Sequence, residues 1–410
     1  MRLVLFTDTF PPDVNGVSMT LGRWTEWLRE RGVALKVFAP DPPKGDEPRD
    51  FVERFLSAPL FLYPPIRLGI PNPLRAQRSF REFRPDLCHI ATPGTMGLFG
   101  RYLCRRFRVP MVASYHTHLD RYLAYYRLEA LQGAYESLNV WFHAPMERVY
   151  VPSRETWERL EAMGIRRLEL FPRGVDERLF HPPQDPEAAR RLLRVRYGID
   201  APLLLLYVGR IAVEKDLDVL VNALAHVSPA VRRDLALLVV GDGPYRGEFE
   251  RKVAQAGVPV RFAGFLRGAD LREAYQGADL FVFPSSTETY GNVVQEAMAV
   301  GLPVLGVSAG GVAERVVHGE TGWLVAPRDP EAFARGIELL ARDEDLRRRL
   351  GRAGHTAVRP HTWDAVFSRL FASMQEVALR ASGDPDRRPP WSDPRRETPN
   401  ARERAPQEVG

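Results

Sequence analysis

The chain has 410 residues, 45% of them hydrophobic, with 57 basic against 52 acidic side chains and a net charge of +5. That length suits two domains with separate cores at about 150 residues each, and the apolar content excludes a chain that is disordered throughout. The longest apolar run, around Leu203 to Val208, falls far short of the roughly 20 residues that span a bilayer, so any membrane contact is expected to be peripheral.

The small basic surplus does not by itself select nucleic acid or anionic lipid as a partner. Cys88 and Cys104 lack CxxC or metal spacing and read as reduced core thiols of a cytoplasmic protein.

Short apolar runs alternate with amphipathic stretches, the pattern of parallel sheets covered by helices. In the first half the predicted strands are Leu3 to Thr7, Leu35 to Ala39, Leu87 to Ala91, Met111 to Tyr115, Arg148 to Val151 and Leu168 to Phe171. The N-terminal MRLVLFTD reads as the first strand, not as a signal peptide. After it, TDTFPPDVNGVSMTL supplies Gly16, where a backbone can approach a ligand, and Asn15 or Ser18 to cap a helix over Val17 to Arg31. Further on, SYHTHLDRYLAYY places His116 just beyond a strand, with His118 two residues later, and RGVD (Arg173 to Asp176) leads out of this half.

Gln184 to Asp200 carries no strand signal, which puts the domain boundary near 175–200. The second half repeats the plan with Leu203 to Val208, Leu235 to Val240, Val260 to Ala263, Leu280 to Phe283 and Pro303 to Val307. In YVGRIAVEKDLDVL a strand ends at Gly209, and Arg210 and Lys215 sit in the loop before a helix. Two cations there match a diphosphate, each charge-assisted hydrogen bond contributing about 1.5–3 kcal/mol. Asp216 and Asp218 form D-x-D, but their place at a helix start reads as N-capping.

VVGDGP (Val239 to Pro244) is a strand followed by a glycine turn, and AGFL (Ala263 to Leu266) ends the next strand. The most informative segment is FVFPSSTETYGNVVQEAMAVGLPVL, in which Glu288 precedes a helix and Glu296 lies eight positions on. Backbone N–H groups at Tyr290, Gly291 and Asn292 would be unpaired at that helix start and favour an anion such as phosphate. Carboxylates accept hydrogen bonds from hydroxyls, so one glutamate can read a sugar and the other a ribose. From Ala381 the proline-rich, charged tail cannot bury enough surface to order itself.

The E-x7-E spacing, the G-R-x4-K segment from Gly209, VVGDGP, AGFL and the two N-terminal loops together resemble the retaining glycosyltransferase family 4. The look is nearest to bacterial glycolipid-forming mannosyl- and glucosyltransferases. The first loop departs from the family pattern, with Asn15-Gly16 where Gly-Gly is usual.

The resemblance covers about Met1 to Met374 and implies an α/β GT-B fold, two Rossmann-like doubly wound domains facing a central cleft. Residues 1–178 would form the acceptor-side domain and 179–360 the nucleotide-sugar domain. A helix at 361–380 would return to the first domain, leaving a disordered tail at 381–410.

It also implies transfer of a hexose, mannose favoured and glucose next, from a GDP- or UDP-linked sugar to a hydroxyl of a lipid or glycolipid. Anomeric configuration would be retained, with no metal, no permanent cofactor and no nucleic-acid partner. His116 would touch the transferred sugar, Glu288 orient its hydroxyls and Glu296 hold the ribose. Gly16, Arg210, Lys215, Thr289, Tyr290, Gly291 and Asn292 would bind the donor, with the backbone at Phe265 and Leu266 meeting its base.

No covalent nucleophile stands out, which points to front-face substitution within an ion pair. Arginines beside aromatics in Arg67 to Pro85 and Arg101 to Pro110, with Tyr122, Tyr125, Tyr126, Trp141 and Phe142, suit an anionic bilayer on the cytoplasmic side and equally suit ordinary helix faces. The alternatives are a polysaccharide-type synthase, a sugar-nucleotide epimerase and a non-catalytic nucleotide-sugar-binding protein.

Overall fold

A computed structural model describes the chain except residues 14, 43–48, 61–62, 117–131, 289, 385–388, 390 and 392–410, with backbone alone for 59–60 and 63–67. Expected residues Thr289, His118, Tyr122, Tyr125 and Tyr126 lie outside the described set.

The N-terminal sheet is built from β1 (Arg2–Phe6), β2 (Ala34–Pro40), β3 (Val52–Phe55), β6 (Leu87–Ile90), β7 (Met111–Ser114), β8 (Arg148–Val151) and β9 (Leu168–Leu170). Its order is β3-β2-β1-β6-β7-β8-β9, and every neighbouring pair is parallel. Beside it, β4 (Ser57–Leu60) and β5 (Tyr63–Gly69) form an antiparallel hairpin.

The C-terminal sheet is also parallel throughout, in the order β12-β11-β10-β13-β14-β15. Its strands are β10 (Leu203–Val208), β11 (Leu235–Val240), β12 (Val260–Gly264), β13 (Leu280–Phe283), β14 (Val304–Val307) and β15 (Trp323–Val325).

Parallel strands buried on both faces read as continuous apolar runs rather than alternations. LLLLYV in β10 is such a run, and every one of its residues is buried. Each fully buried Leu or Val contributes about 1.5–3 kcal/mol of transfer free energy, so these strands dominate their cores.

Strand order reverses between β1 and β6 in one sheet and between β10 and β13 in the other. Ligands of doubly wound sheets bind beyond the carboxyl ends of the strands at such reversals. The loops after β1, β10 and β13 are those that carry Gly16, Arg210 with Lys215, and Glu288.

Predicted strands fall within a residue or so of the observed ones, but β3, β15 and the hairpin were not expected. Pro59, Pro64 and Pro65 demote the hairpin as a strand signal, and three-residue WLV is too short for one. Gln184 to Asp200 is largely helix, Pro186–Tyr197, started by Asp185 accepting from the Ala188 N–H at 2.9 Å and closed by Gly198 at φ 59°.

The last helix, Trp363–Gly383, packs on the N-terminal sheet: Val366, Phe367, Leu370 and Met374 share a core with Leu3, Leu5, Trp24 and Trp27. Arg148 on β8 reaches Glu376 at 2.6 Å, and the Trp27 indole donates to Asp364 at 2.8 Å. The outgoing and returning chain segments run side by side, Val175 bridging Thr362. A Cβ at Gly174 would press on the Trp363 backbone, so this crossing needs glycine.

The tail differs from the expectation of disorder from 381. The helix continues to Gly383, and Trp391 rests against Phe80 and Phe107 with its indole donating to Pro85 O at 3.2 Å.

Candidate active site

Buried β13 delivers the chain to Pro284 and a polar loop at the carboxyl edge of its sheet. Gly291, at φ 86°, turns that loop into the helix Asn292–Ala299. A left-handed residue there favours glycine. Among the described residues no side chain caps this helix, so its first N–H groups and its positive dipole end stay available to an anion.

The loop is held from the next crossover, where Gly311 N donates to Glu288 O at 2.7 Å. A Cβ at Gly310 would strike the Glu288 carbonyl, and one at Gly311 the Tyr290 backbone.

β10 ends at Gly209, and the chain turns through Arg210 into a short 3-10 segment, Val213–Lys215. VVGDGP lets β11 end against this turn: a Cβ at Gly241 would collide with Gly209 O, and one at Gly243 with Ile211 O.

Asp216 corrects the N-cap expectation, because its carboxylate makes no cap bond. It accepts instead from Ser286 N at 2.9 Å and Ser286 Oγ at 2.6 Å. Asp218 accepts from Tyr245 Oη at 2.6 Å and Lys252 at 3.0 Å, so the two acids of D-x-D serve different partners. With Thr287 Oγ1 donating to Glu214 O at 2.7 Å, the Lys215 turn and the Glu288 loop are stitched together.

Across that seam Lys215 Nζ meets Glu288 Oε2 at 2.6 Å. Arg210 pairs with Glu214, and burial lowers the pKa of its guanidinium. Glu296, further along the helix, accepts from Tyr275 Oη at 2.9 Å. Burial raises its pKa to about 7 against the pull of Tyr275 and the charge of Arg23, although part of the side chain still faces solvent.

The N-terminal lobe closes the other side. Asn15 caps its helix, Gly16–Glu30, by accepting from Val17 N at 3.1 Å and Ser18 N at 2.9 Å. Gly16 then lies opposite the C-terminal lobe's helix start: a Cβ there would stand 4.0 Å from Asn292 Nδ2. His116 follows β7, and its Nδ1 is 2.5 Å from Arg173 Nη2. Burial, reinforced by the charge of Arg173 and by His89, holds His116 well below the usual histidine pKa.

The Arg173 carbonyl accepts from Tyr290 Oη at 2.8 Å and Gln295 Nε2 at 3.3 Å. Glu314 adds a further link between the lobes by accepting from Arg154 N and Glu155 N, both at 2.8 Å, at the start of the helix Arg154–Ala162.

Gly16, His116, Arg210, Lys215, Glu288, Tyr290, Gly291, Asn292 and Glu296 are thus gathered where the two sheets' strand ends meet. The Tyr290 side chain is buried and committed to Arg173 and Arg315, leaving only its backbone for the anion role. Phe265 stands 67% exposed beyond β12, and Leu266 packs partly against the C-terminal core. Of the aromatics expected on a membrane face, Trp141 is half exposed with Arg101 stacked 3.8 Å above it, whereas Phe142 is a core residue. Sequence reading missed Arg173 as an organiser, Ser286, Arg315 and the Gly310-Gly311 pair; only the paired glycines after β14 carry a local signal.

Two doubly wound lobes joined at their switch points, with cations, acids and an open helix start between them, define a GT-B enzyme. Residues 190–357 match the model for glycosyl transferases group 1, and residues 14–179 that for glycosyltransferase family 4. A GDP-mannose-dependent alpha-mannosyltransferase of Mycolicibacterium smegmatis is 34% identical over 93% of this chain and 99% of its own length. The sulfoquinovosyl transferase SQD2 of Arabidopsis thaliana is 30% identical over 92% and 74%.

Sucrose-phosphate synthase from Thermosynechococcus elongatus superposes with a TM-score of 0.75 at 23% identity, over 93% of this chain and all of that one. Anabaena Alr3699/HepE, in complex with UDP and glucose, gives 0.74 at 20% identity over 92% and 99%; both share the fold. The chain belongs to glycosyltransferase family 4 and is a glycosyltransferase.

Proposed function

We propose that the chain transfers a hexose, mannose from GDP-mannose before glucose from UDP-glucose, to a hydroxyl of a lipid or glycolipid acceptor with retention. The observation that carries this reading is the meeting of Lys215 and Glu288 at 2.6 Å beside an uncapped helix start that Gly16 faces from the other lobe. The activities of the relatives support the donor and acceptor classes: GDP-mannose-dependent mannosyl transfer, and alpha-monoglucosyldiacylglycerol synthesis in a Streptococcus pneumoniae protein 27% identical over 74% of this chain and 70% of its own.

In the transition state positive charge builds on the sugar ring and negative charge on the departing diphosphate. Arg210, Lys215 and the N–H groups of Gly291 and Asn292 stabilise the diphosphate where its charge grows, which is worth more than equal binding of the ground state. Glu288 accepts from sugar hydroxyls, Glu296 from the ribose, and His116 contacts the sugar from the acceptor side. The bilayer-facing surface is the N-terminal face bearing Tyr102, Leu138 and Trp141, exposed at 54%, 47% and 50%.

Purified protein, membrane lipid extract and each of GDP-mannose, UDP-glucose and UDP-galactose test the reading directly. A mannolipid product that disappears in Glu288→Ala is expected. Near-normal turnover in that variant would overturn the assignment.

A further inference from the structure

Arg173 was expected only to lead the chain from one lobe to the other, yet its side chain and its carbonyl reach into both lobes at the cleft. It is 6% exposed and lies between His116 of the N-terminal lobe and Tyr290 and Gln295 of the C-terminal lobe. A guanidinium has five N–H donors and no acceptor. Its Nη2 contact at 2.5 Å therefore requires His116 Nδ1 to be a bare acceptor. The imidazole is then neutral and carries its proton on Nε2, because the bond made by one ring nitrogen sets the state of the other.

His116 Nε2 and Arg173 Nη1 are both buried and lack a hydrogen-bond partner among the described residues. A buried donor left unpaired costs about 1–3 kcal/mol, so such atoms mark places where a ligand's acceptors complete the set. Behind them His89 Nε2 bonds Ser114 Oγ at 2.7 Å. Burial pushes the His89 pKa down to about 3, so it brings no second proton to the cluster.

We propose that Arg173 is the positioning residue of this site. Its guanidinium fixes His116 as an Nε2–H donor, and its carbonyl, through Tyr290, sets the spacing between that histidine and the Glu288 loop. One residue thereby ties the acceptor-side donor group to the donor-side glutamate. The catalytic consequence rests on the glycosyl-transfer reading, whereas the tautomer does not.

The test is nitrogen NMR of the full chain labelled with 15N-histidine, the His116 signals being assigned by their loss in His116→Gln. The expected result at neutral pH is a protonated Nε2 and an unprotonated, accepting Nδ1. A proton on Nδ1, or an imidazolium, would overturn the proposal whatever the variants do. In Arg173→Met the ring should populate both tautomers and kcat should fall about a hundredfold, the scale of a misplaced reacting group, with donor KM nearly unchanged. Arg173→Lys, which restores a donor to Nδ1, should recover part of the rate and the single tautomer.

A folded Arg173→Met that keeps both tautomer and rate would sink the idea; if that variant does not fold, the wild-type spectrum decides. Undiminished transfer in Glu288→Ala would remove the functional reading and leave the tautomer assignment standing.

Discussion

Glu296 shows how one side chain's surroundings become a measurable property. Burial raises its pKa from 4.5 to about 7, so the native state holds this proton over a range in which the unfolded chain has released it. Stability then falls as pH rises through that window, because the native state binds more protons than the unfolded one. Glu296→Gln keeps an acceptor for Tyr275 and removes the titration. Its melting temperature should therefore gain on the wild type between pH 5.5 and pH 8, and a constant difference across that range would contradict the shift. The two glutamates were legible in the sequence because their spacing, the proline, the glycine and the helix lie within one segment. Arg173 was not: its partners His116 and Tyr290 are 57 and 117 positions away, and no local pattern reports such contacts.

At the scale of elements, the Glu288 loop is shaped by its neighbour from the next crossover. The short helix Gly310–Arg315 begins with two glycines pressed against the loop backbone. Gly311→Ala adds a methyl where the Tyr290 backbone already lies, so the loop must shift. An expected loss of about a hundredfold in kcat follows from displacing positioned groups by roughly an ångström; steady-state kinetics beside a circular-dichroism check of folding would measure it. The main strands were readable because burial on both faces makes them uninterrupted apolar runs. The Ser57–Gly69 hairpin was hidden by its prolines, and the D-x-D acids were misread because their partners Ser286 and Tyr245 come from other loops.

For the whole molecule, the proposed membrane-facing side is the part of the N-terminal lobe that carries exposed apolar side chains and arginines. Arg105 and Arg106 are exposed in the last turn of the helix Thr95–Phe107, whose Arg101 stacks on Trp141 of the helix Gln132–His143. Basic residues at an anionic surface contribute about 1 kcal/mol each, so Arg105→Glu with Arg106→Glu should weaken sedimentation with phosphatidylglycerol vesicles and leave the small phosphatidylcholine background unchanged. Equal binding to both vesicles by the unaltered chain would contradict this face. The lobes themselves were legible from the repeated strand series, but not the links between them, Glu314 to Arg154 and Arg173 to Tyr290, since each joins surfaces that are distant in the chain.

The return of the helix Trp363–Gly383 to the first lobe also has a consequence during synthesis. That lobe has its last strand by Leu170, yet Trp24 and Trp27 wait for Phe367 and Phe371. At about 5–20 residues per second the ribosome needs roughly 10–40 s to make the intervening chain. A nascent chain stalled before Trp363 should accordingly expose an indole-rich surface, remain protease-sensitive in its first lobe, and engage holdase chaperones until the helix Trp363–Gly383 emerges.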